Sequence, residues 1–285
     1  MKLNFYRNLI LLVIAVLSIS ACKKDNSNKQ AEDLAAVKES ALADDLLSHL
    51  FTQLSAVATE SKENVELKRL KAENKNLNSF GSPSSCANIT VTPAGKAYPK
   101  KITIDFGEGC TFNDVIYKGK LLATLSGSFM NKGASLKLVF DEYYLNDNRF
   151  KGELTILNNG KNSKGNLYFT LNLADAQIIN PEFMMTWEAA FIIEWIKGRN
   201  TLTSLDDEFM ISGSSGGISD NGEQFTSNII KPLTKKASCR YITSGTAEHK
   251  LTSGVIQVLD YGNDSCDNKA TLTVNGLSKD IILRK

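Results

Sequence analysis

The run Gly213-Ser214-Ser215-Gly216-Gly217 has the G-x-S-x-G form of a nucleophile elbow, and Asp220 and His249 follow in the chain order of a hydrolase triad. An elbow needs a strand before its serine and a helix after it. Residues 218–222 (Ile-Ser-Asp-Asn-Gly) instead make a polar turn leading into another alternating stretch. The glycines therefore read as softening a strand or forming a bulge, and no catalytic residue is assigned. A glycosidase would need two carboxylates facing each other across a cleft. Glu188 and Glu194 share a strand parity and Asp206, Asp207 and Glu208 sit at a strand start, but spacing along a strand selects no pair among them. Asp260, Asn263, Asp264, Asp267 and Asn268 crowd hard oxygen ligands into one loop, a weak calcium candidate. Their spacing matches no EF-hand, and ordinary turn chemistry uses the same residues. His49 and His249 are the only histidines, and no C-x-x-C pair exists to hold zinc. No metal and no cofactor is assigned. Trp187, Phe191 and Trp195 fall on one face of a strand with Met185, Ala189 and Ile193. They are possible ligand-facing residues for a lipid or a glycan, although a buried sheet face demands the same alternation.

The most specific signal lies at the N-terminus. Lys2 and Arg7 precede an unbroken apolar run from Leu9 to Leu17. That length suits the core of a secretory signal and falls short of the ~20 residues of a membrane-spanning helix. Ile19-Ser20-Ala21-Cys22 follows directly and resembles the lipobox of bacterial lipoproteins. The resemblance implies that residues 1–21 are removed as a lipoprotein signal peptide and that the Cys22 thiol carries acyl chains such as palmitate. One chain binds membranes marginally, whereas two or three anchor stably. Residues 22–30 are almost wholly polar and are expected to act as a tether. The tether is similar to those of Bacteroidota-type lipoproteins, in which a Lys and acidic residues after the Cys direct surface display. This chain offers Asp25 alone, so either leaflet remains open.

The whole chain carries 33 basic and 31 acidic residues, and removing Lys2 and Arg7 balances them. A neutral mature chain argues against non-specific nucleic-acid binding, which runs on excess Lys and Arg. Four further cysteines, Cys86, Cys110, Cys239 and Cys266, form an even set in an exported chain and read as disulfides. Three pairings are possible. Cys86–Cys110 with Cys239–Cys266 is favoured because each pair is local and its surroundings repeat.

Residues 31–75 read as a helical segment, with Leu42, Leu46, Leu50, Leu54 and Val57 in one stripe and Asp44, Asp45, Ser48, Gln53 and Ser55 off it. Residues 76–85, rich in Asn, Ser, Gly and Pro, read as a linker. From 86 to 285 the period changes to two. Leu121, Ala123 and Leu125, then Leu136, Leu138 and Phe140, then Leu167, Phe169, Leu171 and Leu173 alternate with mostly polar neighbours. Asn159-Gly160, Asn221-Gly222 and Asn275-Gly276 stand where hairpin turns are expected. The fold class expected is mainly β: an antiparallel meander, a curled sheet or open barrel, with an N-terminal amphipathic helix. Its apolar face is to be buried by curling, by a second sheet, or beneath the helix.

One internal echo joins these parts. Ile104-Asp105-Phe106-Gly107-Glu108-Gly109-Cys110 matches Leu259-Asp260-Tyr261-Gly262-Asn263-Asp264-Ser265-Cys266 in its Asp-aromatic-Gly core and terminal Cys. Either a duplicated unit or a recurring strand-end turn produces such an echo. Together with the lipobox, the polar tether and the closing Asn-Gly hairpin, it makes residues 86–285 resemble a group of uncharacterised Bacteroidota-type exported lipoproteins. The resemblance implies export and supplies no chemistry. The expected function is a lipid-anchored lipoprotein of the cell envelope, at the outer membrane, acting as a non-catalytic binding or structural module. The alternatives are a carrier of a lipid or other hydrophobic ligand and a surface hydrolase acting on glycans. The expected partner is the membrane, through Cys22; nucleic acid is not expected, and the protein, glycan or lipid ligand is open.

Overall fold

A computed structural model describes residues 22–60, 86–112, 115–201 and 203–283, with side chains along its helix from Leu34 to Ala56. The stretch read as a signal peptide, the later part of the expected helical segment and the expected 76–85 linker lie outside the described residues. Helix α1 runs Cys22–Glu60, so its backbone takes in the stretch read as a tether. Fourteen strands follow among the described residues. They are β1 (Asn88–Thr92), β2 (Lys100–Asp105), β3 (Cys110–Phe112), β4 (Val115–Leu125), β5 (Ser135–Leu145), β6 (Asn148–Lys161) and β7 (Leu167–Asn180). The second half comprises β8 (Phe183–Lys197), β9 (Glu208–Ile218), β10 (Gln224–Lys236), β11 (Ile242–Leu251), β12 (Ile256–Asn263), β13 (Lys269–Val274) and β14 (Leu277–Ile282).

All strands pair antiparallel in one meander, each beside its sequence neighbour, except that β2 lies next to β4 and the short β3 also pairs with β4. The path begins at β1 and ends at β14 without closing, so the sheet is curled and open, as the period-two pattern led us to expect. In β8 every second residue from Phe183 to Trp195 is buried. The outward face carries cross-strand ion pairs such as Lys120–Asp105 at 3.2 Å and Lys197–Glu208 at 2.8 Å. The same outward face also exposes apolar side chains, among them Leu122, Val139, Met184 and Ile192. Among the described residues no helix is long and apolar enough to cross a membrane.

The sheet buries its inner face by wrapping around α1. Phe51 meets Phe169 of β7 and Phe209 of β9 edge-on, at centroid distances of 5.5 and 5.3 Å. His49 Nε2 lies 2.7 Å from the Tyr117 hydroxyl on β4. Nearer the N-terminus of the same helix, Asp44 contacts β9 and Asp45 contacts β10 and β11. Leu42, Leu46, Leu50 and Leu54 are buried, but so are Asp44, Ser48, Gln53 and Ser55. The helix therefore differs from a one-sided amphipathic element. Asp44 and Asp45 meet Ser215, Lys235 and Ile242 on the inner sheet face, while Ser48 and Ser55 bond back to carbonyls of the helix itself.

Both disulfides pair as the local reading favoured, Cys86 with Cys110 and Cys239 with Cys266. The echo has a local structural basis. Asp105 Oδ1 accepts the Gly107 amide at 2.9 Å and Asp260 Oδ1 accepts the Gly262 amide at 2.8 Å, and both glycines have positive φ. The two blocks are thus the same Asp-x-Gly strand-end turn. Of the three Asn-Gly pairs, Asn275-Gly276 makes the expected two-residue turn, with positive φ at both positions and Val274 paired to Leu277. Asn221-Gly222 sits in a longer loop between β9 and β10. Asn159-Gly160 is not a turn at all; it forms a bulge inside β6, where the register shifts between Asn158 and Gly160. Asn158 and Asn159 are tied down there, Asn158 Oδ1 accepting from Gly160 N at 2.7 Å and Asn159 Nδ2 donating to Thr170 Oγ1 at 2.8 Å. The strand then continues to a turn organised by Asn162, whose Oδ1 accepts the amides of Lys164 and Asn166.

Candidate functional site

The Gly213–Gly217 segment lies within β9, so Ser215 is a mid-strand residue and not the tip of an elbow. Close packing of the strands explains its glycines. A Cβ at Gly213 would come within 2.2 Å of Ala190 O, and one at Gly217 within 2.0 Å of Thr186 O. Ser215 Oγ donates to Asp44 Oδ1 at 3.0 Å. Asp220 Oδ1 accepts the Met184 amide at 3.0 Å, at the β9–β10 turn. His249 stands two strands from Ser215 in the same inward row, through the pairs Ser215–Ser227 and Ser227–His249. These three residues are not brought together as a triad.

That inward row belongs to a polar layer enclosed between α1 and the sheet. Ser215, Ser227, His249 and Gln257 are successive cross-strand neighbours, and all are buried. Ser40 and Asp44, one helical turn apart on α1, are buried as well. Among the described residues, Ser40 Oγ, Asp44 Oδ2, Ser227 Oγ, both ring nitrogens of His249, Trp187 Nε1 and the Tyr261 hydroxyl have no hydrogen-bonding partner. Burial pushes the Asp44 carboxyl up to about 7, opposed by its Ser215 bond and helped by the neighbouring Asp45. Burial likewise pushes His249 down to about 4. Just above the layer, Lys235 is wholly buried and sits 3.3 Å from Asp45 Oδ1, which also accepts the Ile242 amide at 3.0 Å. Lys235 Nζ donates in addition to Arg240 O.

On the opposite, outward face of the same strands lies a trough of about 830 Å³ crossing β7 to β11. Its walls are Asp175, Gln177, Thr186 and Glu188 on one side and Gln224, Thr226, Lys250 and Thr252 on the other, with Gly216 and Ile218 between. Register fixes the cross-section: Glu188 pairs with Gly216, Gly216 with Thr226, and Thr226 with Lys250. Three strand spacings thus separate Glu188 from Lys250, roughly 14 Å. A shallower hollow lined by Asn172, Ala190 and Ser214 continues the trough and shares Glu188 and Gly216 with it. Gly216 leaves the floor bare, and a Cβ there would already stand 3.0 Å from Phe225 O. Asp175, held at positive φ, sits in a bulge of β7 where the register shifts between Leu173 and Ala176.

The remaining candidates are dispersed. Trp187, Phe191 and Trp195 are buried in the core; Trp187 lies beneath the trough, and Trp195 packs on Phe209 at 5.3 Å and donates to Asp207 Oδ1 at 3.2 Å. Burial raises Asp207 to about 7. Glu194 accepts from Asn166 Nδ2 at 2.7 Å on the outside, and a bond to Asn166 holds its carboxyl low. In the acidic loop, Asp264 binds Lys236 at 2.5 Å and the Thr243 hydroxyl at 2.8 Å, while Asp267 accepts the Lys269 amide at 2.9 Å. Asp260 is held by the Gly262 turn and Thr246, and Asn263 shares with Asp260 and Asp267 a separate hollow of about 420 Å³ near β13 and β14. Among the described residues no three His, Cys, Asp or Glu side chains gather to hold a metal ion. The Cys22 side chain lies outside the described residues. Sequence reasoning did not single out the trough because its residues come from five strands, and the ones it named, Gly216 in the G-x-S-x-G run and Glu188 among the carboxylates, were not seen to be neighbours. The Asp44–Ser215 contact had no signal either, since its partners are 171 positions apart. The chain matches no protein-family model, no curated protein and no solved structure.

Proposed function

We propose that this protein is a non-catalytic binding module held at the cell envelope by a lipid anchor on Cys22, and that its ligand meets the outward trough across β7–β11. The observation that carries the reading is the placement of α1. Phe51 and the leucine stripe occupy the inside of the curl, so the concave face that a carrier would use is packed with the protein's own side chains. Phe191 and Trp195, which a carrier would turn towards an open chamber, are buried. The hydrolase reading lacks support in the same way, because Ser215, Asp220 and His249 bond elsewhere or not at all within the described residues. The lipobox and the four cysteines support export and anchoring.

Two measurements test the reading. Cys22→Ala, expressed in a bacterial host, is expected to lose palmitate labelling and to leave the membrane fraction; a variant that stays membrane-bound refutes the anchor. Point changes at Glu188 and Lys250 are expected to abolish ligand capture by the mature chain while leaving its unfolding midpoint in place. Substrate turnover by the purified protein would refute the non-catalytic assignment.

A further inference from the structure

Resting on the trough as the ligand site, we propose that the ligand is a neutral, polyhydroxylated chain, that is, an uncharged glycan lying across the strands. Four properties of the trough select this class.

The first is where the trough lies in the sheet. Strands β7 to β11 are central, and their backbone N–H and C=O groups are consumed in ladders on both sides. An extended peptide that binds by strand addition needs main-chain bonds at a free sheet edge, and no such edge borders the trough. Only side chains can bind, so the ligand must present many hydrogen-bonding groups of its own.

The second is the chemistry of the walls. Gln177, Thr186, Gln224, Thr226 and Thr252 supply amides and hydroxyls, which donate and accept alike. Sugar hydroxyls share that dual character, so each wall residue can satisfy an adjacent pair of them. Asn172 and Ser214 extend the same lining into the adjoining hollow.

The third is charge. The trough holds two carboxylates, Asp175 and Glu188, and one ammonium, Lys250. A phosphate or sulfate polymer requires a cationic excess, and the balance here has the opposite sign. Glu188 and Asp175 instead serve as acceptors for vicinal hydroxyls, whose charge-assisted bonds are the stronger kind.

The fourth is shape. The floor at Gly216 is without a side chain, and the hollow continues past Glu188 towards Asn172. A linear chain can lie along such a channel, whereas a lipid would find Ile218 exposed in it, with Leu251, Trp187 and Phe225 lining it only from buried positions.

The test uses the mature full-length chain in detergent micelles, titrated by calorimetry with neutral hexasaccharides (β-1,4-glucan, β-1,4-xylan, β-1,4-mannan and α-1,4-glucan). A sulfated hexasaccharide and a set of uncharged hexapeptides serve as comparison probes. The expected result is saturable binding of at least one neutral hexasaccharide, weakened at least tenfold by Glu188→Ala and by Gln224→Ala. Both side chains are exposed, and circular dichroism and the unfolding midpoint verify that each variant folds. Binding of the sulfated or peptide probe alone, weakened by the same substitutions, would overturn the glycan class while keeping the trough as the site. Hexasaccharide binding that ignores both substitutions would overturn the trough. Binding of no probe would overturn the glycan class, and failure of Glu188 and Lys250 variants to affect capture of ligand from envelope extract would then remove the trough reading as well.

Discussion

Asp44 and His249 sit in one enclosed layer and are perturbed in opposite senses, which makes the pH dependence of stability a sharp probe of that layer. The Asp44 carboxyl rises from 3.8 to about 7 on folding. Each pH unit of such a change is worth about 1.4 kcal/mol. The folded state therefore holds the Asp44 proton where the unfolded chain has lost it. Stability from this group is full below pH 3.8, falls as pH rises, and by pH 7 is about 4 kcal/mol lower. His249 drops from 6.5 to about 4. Its contribution runs the other way: it is intact above pH 6.5 and declines by about 3 kcal/mol as pH falls through 4. Between pH 4 and 6.5 the two slopes largely cancel in the native protein. Each single substitution should uncover the other slope. Urea unfolding of wild type, Asp44→Asn and His249→Gln, measured from pH 4 to pH 8, separates them. Asp44→Asn should gain about 4 kcal/mol relative to wild type on going from pH 4 to pH 8, and His249→Gln should gain about 3 kcal/mol on going from pH 8 to pH 4. Asp207 also titrates near 7 but is common to all three proteins, so it drops out of the differences. If both difference curves stay flat to within about 0.5 kcal/mol, Asp44 and His249 are solvated and the enclosed layer does not exist.

Asp45→Ala should destabilise by about 3–5 kcal/mol in chemical denaturation, because it strands the buried Lys235 without its carboxylate; the double change Asp45→Leu with Lys235→Met should cost much less. Phe51→Ala should lower stability by about 3–5 kcal/mol by emptying the space between Phe169 and Phe209. Replacing Cys239 and Cys266 by Ser removes a cross-link across 27 residues and should cost about 3.5 kcal/mol by loop-closure entropy, readable as a lower urea midpoint. Gly217→Ala, whose added methyl would meet Thr186 O at 2.0 Å, should reduce the yield of folded protein, whereas Ala at the open turn position Gly254 should cost only the ~1–2 kcal/mol of a left-handed backbone.

The meander was legible because period-two alternation is a local property, and Met185 to Trp195 shows it without interruption. The disulfide pairs were legible for the same reason, each being short in sequence. What escaped depends on contacts far apart in the chain. Asp44, Ser48 and Gln53 read as a solvent face because the strands that enclose them, with Ser215 as the partner of Asp44, lie far along the chain. Asn159-Gly160 carried a strong turn signal and became a bulge, since Asn158 and Asn159 found partners on Phe129 and Thr170 that the dipeptide alone does not announce. The trough was invisible for a third reason: it is made by register, which aligns Glu188, Gly216, Thr226 and Lys250, and register cannot be read from any one of them.

The wrapping of the sheet around α1 also sets an order of assembly. Hairpins of neighbouring strands need only short loops to close, so β4 to β8 can pair as soon as they are available. Helix α1 comes earlier than any strand, yet its partners Ser215, Lys235 and Ile242 lie 171, 190 and 197 positions ahead of it. As the chain is made, α1 must therefore wait for most of the sequence before its polar partners exist. Until β9 to β11 arrive, α1 has its contacts with β4 and β7 through His49 and Phe51 but none of its bonds to Ser215, Lys235 and Ile242. Truncation after β8 would leave a sheet without its last lining and a helix without its polar contacts. The final third of the sequence thus serves as the step that commits the rest.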